Sequence, residues 1–428
     1  MTSKPSNEAG HPSSLLPAAL TGPSRSGATP RVIARAEGAR LFDTGDRAYI
    51  DYSLGSGTLL LGHAHREVSR AVKEQTDRGT NYRFVDGVAI ELAERLVASV
   101  PCVEHVALTA SGSDAAALAM RLARAHHRRD GILKFEGAAH GNSDYGLMSN
   151  HLSYVIGDYP RPVPNSAGIP RAVEDCVMVA PFNDFETTAQ LIEQRHEELA
   201  AVLVEPVQRA IRPASGFLEE LRRLTTRHDL LLIFDESTTG FRAGPGGAQD
   251  TYGVVPDLCV LGPSISGGLS LGIVGGRADV LRLINPARYG HGDYVFQPAS
   301  CGASAPACAA AVATLDVLSG TDARATIHAS GERLAAGIRS AFGDRGIDIQ
   351  VSGDHGVIGI WFCPDEVSNF QSALLADSAL SQRLSDDLLE RGVIFDNDLL
   401  FVSAAHGDTE IDATLSALAD VAAAIARD

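Results

Sequence analysis

Lysine is scarce in this chain. Only Lys4, Lys73 and Lys134 occur in 428 residues, so chemistry that needs a lysine amine has three addresses. Cysteine is sparse and scattered (102, 176, 259, 301, 308, 363), with no CxxC and no Cys/His cluster. That excludes a disulfide framework and a structural zinc site, and it suits reduced thiols in a cytoplasmic protein. No apolar run approaches the roughly 18 residues of a membrane span. The Leu15–Leu20 patch is short and interrupted by Pro17, which argues against a signal peptide. Basic charge is in deficit: the net charge of -17 disfavours nucleic acid and anionic membrane as partners. No internal repeat is visible, and low complexity is confined to residues 1–30, where Ser, Pro, Gly and Ala read as a disordered tail.

What remains is ample for a large globular subunit, with 45% hydrophobic residues. From about 105 to 280, short apolar runs alternate with helical patterns. This predicts an α/β fold with a doubly wound, mostly parallel sheet. Leu230–Phe234 reads as a strand buried on both faces, and it delivers Asp235 and Glu236 to its C-terminal end, where ligands sit in such sheets. Ala200–Pro206 is a second such strand ending in Glu205, and Ile132–Glu136 a third. The turn Leu108–Asp114 opens an Ala-rich helix that runs to His127. Its first amides can hold a phosphate, or Ser113 and Asp114 can act as ordinary caps. Arg31–Tyr52 alternates around Phe42–Asp46 as a hairpin would. His63 and His65 lack a third ligand nearby, so turn packing is the expectation and no metal is predicted.

Several words in the chain recur together elsewhere. They are KFEGAAHG (134–141), VEP (204–206), FDE (234–236), TGFR (239–242), GGAQ (246–249), YGV (252–254), PDL (256–258), LG (261–262) and GGR (275–277). YVFQPAS (294–300) and FVSAAHGDTEIDATL (401–415) follow. In this order they resemble the class III aminotransferases of the fold-type I pyridoxal phosphate (PLP) superfamily, most of all the glutamate-1-semialdehyde aminomutases. The resemblance covers about residues 30–425. It implies a large domain over 61–315 and a small α+β domain over 316–428 joined by residues 31–60. It also implies a homodimer with shared active sites.

The resemblance further implies site roles. Ser111, Gly112 and Ser113 match the phosphate loop, and Asp235 the partner of the pyridine nitrogen. Ser300 matches a hydroxyl that serves the neighbouring subunit's phosphate. Arg35 matches a position that holds a substrate carboxylate. Three positions depart from the family. Pro263, followed by Ser264, stands where the Schiff-base lysine belongs. Ala139 replaces the tyrosine that stacks on the ring, and Ser237 replaces the valine of its other face. Lys134 belongs to a family word with structural duties and is a poor substitute. The expectation is therefore a divergent enzyme acting on a small anionic, amino-acid-like metabolite. It would use PLP or pyridoxamine phosphate (PMP) held non-covalently, or no PLP at all. His140, Asp235 and Glu236 would do its acid–base work, and Ala139 and Ser264 would line the substrate space. The alternatives are a non-catalytic metabolite-binding or partner subunit, and an ordinary aminomutase-like transaminase.

Overall fold

The computed structural model describes residues 32–150, 158–297, 302–395 and 399–427. The proposed tail and Ser300 lie outside the described residues. At the centre is a seven-stranded sheet. Its strands are β1 (His105–Thr109), β2 (Gly131–Phe135), β3 (Val177–Ala180), β4 (Leu199–Val204), β5 (Leu231–Asp235), β6 (Leu258–Leu261) and β7 (Gly272–Gly276). The spatial order is β1-β7-β6-β5-β4-β2-β3. All neighbours pair in parallel except β7, which runs antiparallel to both β1 and β6.

The continuous apolar runs form these strands because helices cover both faces. With side chains alternating across the sheet, Leu203, Leu231, Ile233, Val260 and Val274 pack on one face with Ala115, Ala119 and Leu122 of the Gly112–His127 helix. Val202, Leu232, Phe234 and Ile273 pack on the other, with Leu218 and Leu221 of the Phe217–Arg227 helix and Ala310 and Ala311 of the Ala305–Gly320 helix.

Two smaller sheets flank this core. Ile33–Glu37, Arg40–Asp43 and Ala48–Asp51 form an antiparallel meander, and Val393–Ile394 pairs in parallel with Ala48–Asp51. Gln350–Asp354, Val357–Trp361 and Leu399–Phe401 form an antiparallel trio. A separate core joins Ile50, Tyr52, Ile360 and Leu400 to the Ala323–Gly343 and Asp408–Ile425 helices. The hairpin expected around residues 42–46 is therefore present. Its neighbour, Val393–Ile394, is more than three hundred residues away in sequence.

Candidate active site

Five strand ends converge on one edge of the large sheet. β1 leads to Ser111, β2 to His140, β4 to Glu205, β5 to Asp235, and β6 to Pro263. Alternation along β5 puts Asp235 on the same face as Ile233, which is the face of the Gly112–His127 helix. His140 Nδ1 lies 2.8 Å from Asp235 Oδ2, and both side chains are buried. With Nδ1–H donated to the carboxylate, Nε2 is the ring nitrogen that faces away from Asp235. Nε2 is itself buried and has no hydrogen-bond partner among the described residues. The other carboxylate oxygen, Asp235 Oδ1, accepts the Ser237 backbone N–H at 3.1 Å and the Ser237 hydroxyl at 2.7 Å.

The loop that carries His140 is held from two sides. Glu205 Oε1 accepts the N–H of Ala139 at 2.6 Å, and burial pushes the Glu205 carboxyl above its ordinary range. Gly141 has φ +79°, and a Cβ there would lie 2.5 Å from Ser113 Cα, so the loop can close on the helix start only as glycine. The adjacent Asn142 N–H donates to Ser113 Oγ at 3.2 Å. Ala139 itself is exposed, whereas His140 beside it is buried.

The phosphate-loop candidates sit at the start of the Gly112–His127 helix. The cap is Ser111, whose Oγ accepts from Asp114 N at 3.1 Å and donates to Asp114 Oδ2 at 2.7 Å. Ser113 is not the cap. The helix's own bonding begins with Ala115 N–H to Ser111 O, so the amides of Gly112 and Ser113 have no partner within the helix. Pro263 opens a short 3-10 turn, Pro263–Ile265, and meets this helix start: a Cβ at Gly112 would lie 3.1 Å from Pro263 Cγ and 3.6 Å from Ser237 Oγ.

Other residues are placed elsewhere. Glu236 falls on the opposite face from Asp235. It is fully buried and accepts from Gln249 Nε2 at 3.0 Å, from Thr239 Oγ1 at 3.2 Å and from Ala248 N–H; burial pushes its carboxyl up to about 7. It anchors the GGAQ turn and is not directed at His140. Ser264 is buried and donates to Gly240 O at 3.1 Å, so its hydroxyl is spent on the loop. Arg35 lies on the N-terminal meander with its side chain 53% exposed; it pairs with Asp46 at 3.2 Å and stacks over Phe42. Nothing among its described contacts joins it to the His140–Asp235 pair. His63 pairs with Asp51 at 2.8 Å, the turn-packing role expected of it.

Reasoning from the sequence missed two groups. From the sequence Glu205 is only a strand end; a Glu beside a proline after a buried strand is the available signal. Arg242, fully buried, donates to Val402 O and Gly57 O at 2.9 Å each and ties the turn after β5 to the chain just past the Leu399–Phe401 strand.

The class III aminotransferase family profile matches residues 21–398. The chain belongs to the class III aminotransferases. A glutamate-1-semialdehyde 2,1-aminomutase of Desulforudis audaxviator is 39% identical over 413 residues, covering 94% of this chain and 93% of that one. Its counterpart in Methanothermobacter thermautotrophicus is 38% identical over 416 residues, 96% of each chain. Among solved structures, an omega-transaminase from Sphaerobacter thermophilus superposes with a TM-score of 0.86 at 31% identity, covering 94% of this chain and 93% of that one. A lysine-to-alanine variant of a glutamate-1-semialdehyde aminomutase from Pseudomonas aeruginosa PAO1, solved in complex with PMP, gives 0.81 at 26% identity, covering 92% of this chain and 87% of that one. The fold-type I architecture read from the motifs is the one observed.

The residues present suit the phosphate and the ring nitrogen of a pyridoxal-type cofactor, while Ala139 and Ser237 offer neither the aromatic nor the valine that the resemblance puts on the two ring faces. The free amides of Gly112 and Ser113 at a positive helix end suit a phosphate, and buried Asp235 suits a ring nitrogen. The covalent anchor is not matched, because Pro263 has no amine and Lys134 is enclosed by backbone carbonyls.

Proposed function

We propose that this chain is a class III aminotransferase relative that works without a lysine-linked cofactor. It acts on a small anionic, amino-acid-like metabolite and uses His140 as its proton carrier. The observation that carries this reading is the pairing of a loss with a retention. Pro263, which the motif resemblance matches to the family's lysine, stands against Gly112, yet the His140–Asp235 pair is buried and complete. The PMP complex of the lysine-to-alanine aminomutase supports non-covalent holding, since that protein carries a lysine substitution and still binds the amine form.

Each residue has a role within this reading. The amides of Gly112 and Ser113 hold a phosphate, and Asp235 orients the imidazole and faces a ring nitrogen. Glu205 fixes the loop through Ala139 N–H, so that His140 stays in register with Asp235. His140 takes or gives a proton at Nε2, the nitrogen left free by the Asp235 contact. When bound, the cofactor supplies an electron sink for charge developing at the substrate's amine-bearing carbon. Ala139 is assigned to the wall of the substrate space and Ser300 to a partner subunit's phosphate, while Arg35, paired with Asp46 on the exposed meander, and Ser264, bonded to Gly240 O, are left out of the site. The chain acts as a homodimer in the cytoplasm.

Two measurements test this. Protein incubated with PLP, reduced with borohydride and digested with trypsin should yield the Ala243–Arg277 peptide at its unmodified mass. A stoichiometric phosphopyridoxyl adduct on Lys134 would overturn the reading and restore the ordinary transaminase. The second uses PMP-loaded protein and a panel of small oxo- and semialdehyde carboxylates, followed by loss of the amine-form absorption. His140→Ala should slow that conversion by about 10²–10⁴-fold. If His140→Ala and Asp235→Asn both convert at the wild-type rate, His140 is not the proton carrier.

A further inference from the structure

Ser237 is half-buried and stands between the two halves of the site. Its hydroxyl donates to Asp235 Oδ1 at 2.7 Å, and its backbone N–H donates to the same oxygen at 3.1 Å. His140 Nδ1 engages the opposite oxygen at 2.8 Å. On its other side Ser237 Oγ lies 3.6 Å from where a Cβ of Gly112 would stand. We propose that Ser237 is a positioning residue that commits the Asp235 carboxylate to His140 and thereby weakens the site's hold on a pyridine ring. The proposal rests on the reading of the site as lysine-free.

The physics is competition for one carboxylate. Hydrogen bonds to a charged acceptor are strong, and three donors already share the Asp235 charge. A ring N–H arriving at Asp235 must compete with them. It gains less than it would from a carboxylate bonded only to an imidazole and a backbone amide. The valine that the resemblance puts here has a backbone N–H but no side-chain donor, so the hydroxyl adds a bond to that oxygen and is not a neutral replacement. Pro263 acts in the same direction, since it closes on Gly112 beside Ser237 and leaves no amine to compensate.

The test is calorimetric titration of PMP into the full-length wild-type protein and into Ser237→Ala, Ser237→Val and Ser237→Thr. The alanine and valine variants should bind PMP about tenfold or more tightly than wild type, the range of one hydrogen bond to a charged group. Ser237→Thr keeps the hydroxyl and should match wild type. The proposal fails if the alanine and valine variants bind no more tightly than wild type, or if the threonine variant tracks alanine. It also fails if no protein of the four binds PMP, because Ser237 would then not be what limits the site. Should Ser237→Val misfold by circular dichroism, Ser237→Ala decides alone. A borohydride adduct on Lys134 would sink the lysine-free reading whatever these affinities are. Equal affinities without an adduct sink only the role of Ser237.

Discussion

Lys134 carries the one lysine amine buried among the described residues, and its surroundings decide what it does. Its Nζ donates to Ala138 O at 3.0 Å and to Met148 O, and burial pushes its pKa down from 10.5 to about 7. The native state therefore sheds this proton near pH 7, whereas the unfolded chain keeps it until about 10.5. Between those values the unfolded state binds more protons, so the lysine's contribution to stability rises with pH and is lost as pH falls through 7. The gain of wild type over Lys134→Met should accordingly grow across that window, by at most on the order of 5 kcal/mol. Urea unfolding of both proteins at several pH values reads it, and a difference constant with pH would mean an unshifted amine. The neighbouring carboxylates show how far residue type alone carries. FDE marks two acids, and the pleat sends them to opposite faces: Asp235 to His140, Glu236 to the Ala248 and Gln249 amides. Ser264 likewise reads as an available hydroxyl, but the tight turn after Gly262 directs it to Gly240 O.

At the scale of elements, the Gly112–His127 helix is the part on which the site depends most. Its cap is Ser111, two residues before the serine that the sequence favoured. Ser-Gly-Ser-Asp offers two serines, and only the fold shows that Ser113 Oγ is turned to Asn142 N–H. Ser111→Ala removes an acceptor for Asp114 N and should cost about 0.5–2 kcal/mol in chemical unfolding. The loss should appear without any change in the His140 signals of an NMR spectrum, because Ser111 does not touch that pair. A variant as stable as wild type would mean that water or Asp114 alone caps the helix. Strands β2, β4 and β5 were legible because burial on both faces leaves an uninterrupted apolar signature, whereas β3 and the glycine-rich β7 were not; the 42–46 hairpin was legible from alternation and turn residues. The parallel pairing of Ala48–Asp51 with Val393–Ile394 was not, since a two-residue strand paired across most of the chain has no local period.

On the whole-molecule scale, a groove of about 1010 Å³ runs between the Arg66–Arg78, Gly87–Ser99 and Ala305–Gly320 helices. Its rim carries Phe84 and Val85, which are 84% and 81% exposed, beside the partly exposed Tyr82. Apolar side chains so exposed and so close together mark a surface that is covered in use. The groove also offers Glu67, Glu74, Glu91 and Asp316 beside Arg70 and Arg78, so both signs of charge are available to a matching surface. A second copy of this chain supplies both the apolar side chains and the mixed charges, as an isologous contact requires. Light scattering at micromolar concentration should therefore give a dimer. Phe84→Asp combined with Val85→Asp should shift it towards monomer, since each partner would then bury carboxylates without counter-ions. If the wild type is monomeric, or if the double variant stays fully dimeric while folded, this groove is not the subunit interface.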